Sequence, residues 1–224
     1  MSTTEYAGSI MNYLAERRQE EKERRRAEIL DAAEAVVASV GWDALTMDQV
    51  ARRARLSRAL LYVYFKDKVD LMYGICERGL LTLRQRSAEA VARHRLGLDQ
   101  IVGIGRAYVA FSQEFPVYFD ILARCELREV RTVEVAPNEA ACQVAGSTVQ
   151  ALMVAVLETG VRDGSIRPDL GDTKVVASAL WGMTHGALQL AATKARVLAH
   201  HGVDGRAVIE QTMVMATRAL AART

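Results

Sequence analysis

The chain is poor in the residues that mark several classes of protein. Three prolines in 224 residues leave long helices permitted, because proline is the residue that most reliably breaks them. The three cysteines, Cys76, Cys125 and Cys142, are odd in number and widely separated, and no Cys or His partner stands at zinc-finger spacing. That argues against a disulfide framework or a structural metal site, and for buried or half-buried thiols in a reducing cytosol. A large excess of one charge is also lacking: the formal net charge is +2, so any basic surface must come from local clustering. No Gly-rich phosphate loop, G-x-S-x-G elbow or paired-His metal motif occurs, and His200 and His201 are adjacent rather than one turn apart. The parts of an enzyme are therefore missing, and no cofactor or metal is expected.

The N-terminus lacks the basic-then-apolar pattern of a secretory signal, which places the expected localisation in the cytoplasm. A single stretch, Val175 to Thr193, is free of Asp, Glu, Lys and Arg and approaches the length of a membrane span. It also carries Ser178, Thr184, His185, Gln189 and two glycines, a mixture better suited to a helix covered by its own domain and a partner subunit than to lipid.

What is present is helical. With 50% hydrophobic and 25% charged residues the composition is that of a folded soluble protein. Residues 1–20 are expected to form a flexible tail, although Glu16 to Glu28 is almost wholly charged and places Glu20 with Arg24 and Glu21 with Arg25 at a favourable helical spacing. The first helix continues with Ile29, Ala33, Val36 and Val40 on one face and stops at Gly41. Punctuation recurs near Gly97, Pro116, Pro137, Asp163 to Gly171 and His201 to Gly205, with no alternating segment that argues for a sheet. The expected organisation is all-α: a three-helix N-terminal domain over 21–72 and a larger helical domain over 73–224.

The segment Leu45 to Leu71 carries the function. Thr46, with Gln49 three residues on, reads as a capping box; Ser57 repeats the N-cap after a short turn; Asp67 caps a third helix. Two helices so close together cross at a large angle, as in a helix-turn-helix. Between Met47 and Lys68, Arg52, Arg53, Arg55, Arg58, Lys66 and Lys68 face only Asp48 and Asp67, a local charge of +4. Tyr62 and Tyr64 add hydroxyl donors for phosphate, while Ser57, Arg58, Ala59 and Leu60 stand where a second helix reaches major-groove edges, Arg58 being suited to guanine.

At these residues the chain resembles the TetR family of transcriptional regulators. Thr46, Val50, Ala51, Ala54, Leu56, Ser57, Leu61, Tyr62, Tyr64, Phe65, Lys68 and Leu71 fall on the family signature in order and spacing. The resemblance implies phosphate contacts from Thr46, Tyr62, Tyr64 and Lys68, and a recognition helix from Arg58. Two departures stand out. Arg55 occupies the usual turn glycine, where a left-handed backbone would cost on the order of 1 to 2 kcal/mol and a phosphate contact would give it a role. Val63 replaces a residue that is often polar, which leaves a thymine-methyl contact or no role at all.

The family likeness further implies a homodimer formed through the last two helices, for which Thr173 to Ala199 and Arg206 to Ala222 are the candidates. It also implies a C-terminal pocket for an unidentified small-molecule effector. Tyr108, Phe111, Phe115, Tyr118, Phe119, Met153, Trp181 and His185 are the candidate lining, with core packing the competing role for each. The function these readings imply is repression from a pseudo-palindromic operator in double-stranded DNA, relieved by the effector. A transcriptional activator, or a helical interaction protein whose helix-turn-helix no longer touches DNA, are the alternatives.

Overall fold

The computed structural model describes residues 3–126 and 135–222, and every named element among them is a helix. In order these are α1 (Thr3–Ala44), α2 (Met47–Arg53), α3 (Arg58–Tyr64), α4 (Lys68–Ala92), α5 (Gly97–Glu114), α6 (Pro116–Glu126), α7 (Pro137–Asp163), α8 (Thr173–Thr193), α9 (Ala195–His200) and α10 (Gly205–Leu220). The chain divides into two compact units, Met1–Ile75 and Cys76–Thr224, with the division inside α4.

In the first unit α1 is already helical at Thr3, where a loose tail was expected; residues 1 and 2 of that tail lie outside the described residues. Side-chain pairing accounts for the ordered turns between Gln19 and Glu28. Gln19 donates to Glu23, Arg24 and Arg25 both reach Glu21, and both also reach Glu28. Pairs three and four residues apart each add a few tenths of a kcal/mol to a helix. Regular helix ends at Gly41, whose φ of 78° and ψ of 163° lie where glycine is at ease.

The buried face of α1 is Ile29, Leu30, Ala33 and Val37, so the expected stripe is corrected at its end: Val40 is 44% exposed. The buried set continues through Trp42, Leu45, Met47, Val50, Ala51, Leu61, Phe65, Leu71, Met72 and Ile75. Phe65 is the largest of those that are fully buried. A Cβ built on Gly74 would lie 2.7 Å from its ring, and the Arg26 guanidinium stands 5.6 Å from the ring centre.

The second unit is organised by the close crossing of α5 and α7. A Cβ on Gly97 would fall 2.2 Å from the backbone nitrogen of Gly160, and one on Gly160 would meet Ile166 Cδ1 at 2.4 Å. The open N–H groups at the start of α5 are then satisfied from across the chain: Gly97 donates to Asp163 Oδ2 at 2.8 Å and Leu98 to Ser165 Oγ at 3.0 Å. Accepting hydrogen bonds, first from the Ser165 side chain and then from the Gly97 backbone, holds the Asp163 carboxyl below its usual pKa.

Around this crossing Ile101, Ile104, Met153, Val156, Leu157, Ile166, Ala177 and Leu220 form the core. The end of α10 is tied to it by paired backbone bonds, Arg167 to Leu220 at 3.0 Å and Ala222 to Ser165 at 3.1 Å. The expected helix 173–199 is broken in two, since Lys194 leaves helical geometry at φ −118°. Among the described residues the helix long and apolar enough to span a membrane by length and composition is α7, not the charge-free stretch within α8. Within the unit α7 packs against α5 and α8.

Gly97→Ala should destabilise the second unit by about 1 to 3 kcal/mol, the usual range for overpacking, because the atoms it meets are backbone and cannot turn aside. Urea unfolding of the variant against the parent chain measures this; an unchanged midpoint would show that the crossing has slack.

Candidate nucleic-acid interface and effector site

Helix α2 starts on the expected capping box. Thr46 Oγ1 accepts from the Gln49 N–H at 3.3 Å while Gln49 Oε1 accepts from the Thr46 N–H at 2.8 Å. It ends in a Schellman arrangement, with Leu56 N–H bonded to Ala51 O at 2.9 Å and Arg55 N–H to Arg52 O at 3.2 Å. That closure needs a left-handed residue at its pivot, and Arg55 supplies it at φ 56°, the one positive φ of a non-glycine residue among the described residues. The next cap follows at once: Ser57 Oγ accepts from the Leu60 N–H at 3.2 Å and starts α3. For α4, Asp67 accepts from the Asp70 N–H at 2.8 Å and Asp70 accepts from the Lys66 N–H at 3.0 Å.

Helix α3 is anchored by Leu61, fully buried, and turns its other side outward. Ser57, Arg58, Ala59, Leu60, Tyr62 and Val63 are exposed, with Val63 at 76% the most open of the large apolar side chains among the described residues, while Tyr64 is half-buried. Arg52, Arg53 and Arg55 are exposed on the preceding helix and turn. Two of the expected contact residues are engaged inside the unit. Arg58 Nε stands 2.7 Å from Asp48 Oδ1, an ion pair without hydrogen-bond alignment. Lys68 Nζ donates to the backbone oxygen of Asp43 at 3.1 Å and lies 4.9 Å from the centre of the Trp42 ring. The sequence reading did not single out Trp42, Asp43 or Asp48 for these contacts, because the pairings become visible only when the helices are folded together.

In the second unit the aromatic candidates converge. Tyr108, Phe111, Phe115, Tyr118, Phe119, Trp181 and His185 form a chain of ring contacts with centroid separations from 5.3 to 6.4 Å. Its polar centre is His185, whose Nδ1 is 2.7 Å from Tyr108 Oη and whose Nε2 is 3.3 Å from the Gln189 amide nitrogen. Burial pushes the imidazole pKa below its ordinary 6.5.

Two openings are lined by the described residues. A cleft of about 40 Å³ is lined by Met153 and Trp181 together with Ile104, Thr184, Met213 and Leu220. A larger groove of about 360 Å³ includes Phe111 beside Arg86, Arg93, His94 and Arg106. Neither lining includes Phe115, Tyr118 or His185. Thr184 and Met213 went unnoticed in the sequence because small and flexible side chains at helical spacing carry no signal of a cavity.

On the outer face of α8, Val175, Trp181 and Met183 are exposed, as are Gly182 and Gly186, and on α10 so are Val214 and Met215.

Two short capped helices at a sharp turn, followed by a longer helix, make a helix-turn-helix. The model of bacterial regulatory proteins of the tetR family matches residues 29–73. The chain is 38% identical over 61 residues to the HTH-type transcriptional regulator YfiR of Bacillus subtilis (strain 168). That match covers 27% of this chain and 30% of YfiR, so it spans less than a third of the relative's length. Over most of the chain the likeness is one of fold. A tetR-family regulatory protein from Rhodococcus RHA1 superposes with a TM-score of 0.65 at 20% identity, covering 89% of this chain and 98% of that one. FadR from Bacillus subtilis, solved in complex with stearoyl-CoA, gives a TM-score of 0.65 at 16% identity, covering 86% and 98%.

Arg55→Gly should raise the stability of the first unit by up to about 1 kcal/mol, the left-handed cost removed less the extra backbone entropy of glycine. Denaturant unfolding reads it, and a loss of stability would mean that the Arg55 side chain contributes more than its backbone costs.

For His185, the unfolded chain takes up a proton below about pH 6.5 while the folded chain resists it, so the unfolded state binds more protons. Stability is then full above that pH and is lost as pH falls through the lower folded value. Melting temperature against pH should fall on acidification through this range, and more shallowly in His185→Gln. Identical profiles for the two chains would remove His185 as the cause.

Proposed function

We propose that the chain is a homodimeric repressor that holds a pseudo-palindromic operator through α2 and α3 and is released from it by a small apolar molecule bound in the C-terminal unit. The observation that carries this reading is the outward face of α3. Arg58, Ala59, Leu60, Tyr62 and Val63 are all open to solvent on a seven-residue helix capped at its start, next to three exposed arginines of the preceding helix and turn. An apolar Val63 that is 76% exposed has little reason to be there unless a partner covers it, and a thymine methyl is a fitting one. In this reading Arg58 reads guanine, Ser57, Ala59 and Leu60 approach base edges, and Thr46, Arg55, Tyr62 and Tyr64 hold phosphates. Lys68 acts at one remove, fixing the start of α4 on the Trp42 turn.

Dimerisation is supported by the outer face of α8, where Gly182 and Gly186 leave open space between Val175, Met183 and Leu190. Bulky and small residues in alternation suit close approach of a second helix across a two-fold axis. Two recognition helices about 34 Å apart would then match successive major grooves. The effector's apolar character is inferred from the cleft beside Met153 and Trp181 and from the neighbouring ring cluster. The fold shared with FadR, whose structure holds stearoyl-CoA, is in keeping with that. Because the cleft is far smaller than the 300 Å³ or more of a typical ligand site, effector binding must part helices, and that movement is what a second conformation with weaker DNA affinity requires.

DNA selection from a random duplex pool tests the reading. The parent chain should enrich an inverted repeat, with affinity that falls steeply as salt rises. Tyr62→Phe should weaken binding to all selected sequences alike, and Arg58→Ala should cost about 1 to 3 kcal/mol and relax preference at one base pair of each half-site. A chain that enriches nothing, or an Arg58→Ala variant with unaltered preference, would overturn the assignment of α3 as the reading helix.

A further inference from the structure

The cleft and the groove of the second unit share no lining residue, and the groove is the charged one. Its volume of about 360 Å³ is that of a small-molecule site, and it runs between the second half of α4 and α5. Small residues give it room: Ala90 on α4 and Gly103, Ala107 and Ala110 on α5 line it beside the buried Phe111. The His94 ring lies against Gly103, its Cδ2 3.2 Å from where a Cβ would stand. At one end the two walls close their charges on each other, with Arg86 Nη2 3.0 Å from Glu114 Oε2. Two turns beyond Arg86, in the turn that ends α4, comes Arg93, and about two turns before Glu114 on α5 comes Arg106. The register that joins Arg86 to Glu114 therefore sets these two arginines across the groove from one another. Neither has an acidic partner among the described residues. Glu89 stands one turn before Arg93, at a spacing that favours an ion pair, but its carboxylate accepts from the Gln85 amide at 3.1 Å. On α5 the residues three and four positions either side of Arg106 are Val102, Gly103, Val109 and Ala110, none of them acidic.

We propose that this groove binds a phosphomonoester, with the phosphoryl group between Arg93 and Arg106 and the organic part along Ala107 and Phe111. Two guanidiniums across a groove with no carboxylate between them repel, and a dianion placed there replaces the repulsion with two attractions. Geometry favours a phosphoryl group over a carboxylate. Each guanidinium presents a planar fork of N–H donors, and the three terminal oxygens of a phosphomonoester, spread about the phosphorus, can receive a fork from each wall. A carboxylate has two oxygens in one plane and is filled by a single fork. His94, at the same end of the groove, adds a ring nitrogen. The Arg86 to Glu114 pair leaves the opposite end neutral, so the uncharged part of the ligand belongs there, and the alanines with Phe111 suit an aromatic one. The site is separate from the cleft beside Met153 and Trp181. It stands on the second unit alone and does not depend on the DNA-binding reading.

The test is calorimetric titration of the full chain with phenyl phosphate, set beside benzoate, which offers the same ring with a carboxylate. One phenyl phosphate per chain is the expected result, bound at least about tenfold more tightly than benzoate. Arg93→Gln and Arg106→Gln should each weaken phenyl phosphate at least about tenfold, since a hydrogen bond between charged groups is lost. Their unfolding midpoints without the probe should stay where they are or rise, because a like-charge repulsion is removed. Ala107→Leu, which fills the groove and keeps both guanidiniums, should weaken phenyl phosphate more than inorganic phosphate. No saturable binding at millimolar phenyl phosphate, or benzoate bound as tightly, would overturn the proposal. So would binding that both glutamine variants leave intact, which would put the anion on another basic surface such as that of α2 and α3. A lowered midpoint in the glutamine variants would make the two arginines supports of the fold and would overturn it as well.

Discussion

A helix of seven residues cannot hold itself in water, because nucleation costs more than so few hydrogen bonds return. Both α2 and α3 are of that length, so the candidate reading surface exists only because buried side chains pin it from behind. Val50 and Ala51 fix α2, and Leu61 and Phe65 fix α3 and the turn that follows, all within 2% of complete burial. Phe65 is the keystone: it is a large ring closed in by Gly74 and the Arg26 guanidinium, so its position sets how α3 lies against α1 and α4. The caps then determine where each short helix begins and ends. Hydrophobic burial supplies most of the free energy, and the Thr46, Ser57 and Asp67 caps, typically about 1 kcal/mol each, supply the register.

That division of labour explains what the sequence disclosed. Capping residues act on backbone groups two or three positions away, so Thr46, Ser57 and Asp67 announce their helices locally, and the order of the first four helices follows. Buried positions of α1 were harder. Ile29, Ala33, Val36 and Val40 make a plausible stripe, but the break at Gly41 turns the chain before Val40 can reach the core, and Val37 takes the inner position. The helical start at Thr3 was missed for a different reason: Thr3 to Ala15 holds a single charged residue, Glu5, so no ion pairs one turn apart mark it as helix.

Long-range contacts left almost no trace. Nothing near Gly97 indicates that its N–H finds Asp163, or that Gly97 and Gly160 must both lack side chains for α5 to reach α7. The aromatic residues drawn from three helices were a better guess, since large rings at helical spacing have to be buried somewhere, and they do form one cluster. Whether such a cluster is wall or core depends on empty space, which packing creates and sequence does not encode. Here the open cleft adjoins the cluster through Trp181 and is lined largely by residues with no individual signature.

The Arg58 to Asp48 pair shows how a stabilising contact and a proposed reading contact can share one side chain. Arg58 is largely open and Asp48 about half so, at 64% and 47% side-chain exposure, and an ion pair this exposed is worth about 1 kcal/mol at most. A bidentate arginine to guanine discriminates by about 1 to 3 kcal/mol. Under the proposed reading the exchange favours the base when the geometry of the groove is right, and favours Asp48 when it is not. In the absence of DNA the carboxylate keeps the guanidinium in one place, which reduces the rotamer entropy lost on binding and offers a standing competitor to any weaker acceptor. A pair buried more deeply would hold Arg58 too firmly to release it, and no pair at all would leave it free to settle on any phosphate. Moderate exposure is the condition under which Asp48 can sharpen selectivity without abolishing affinity.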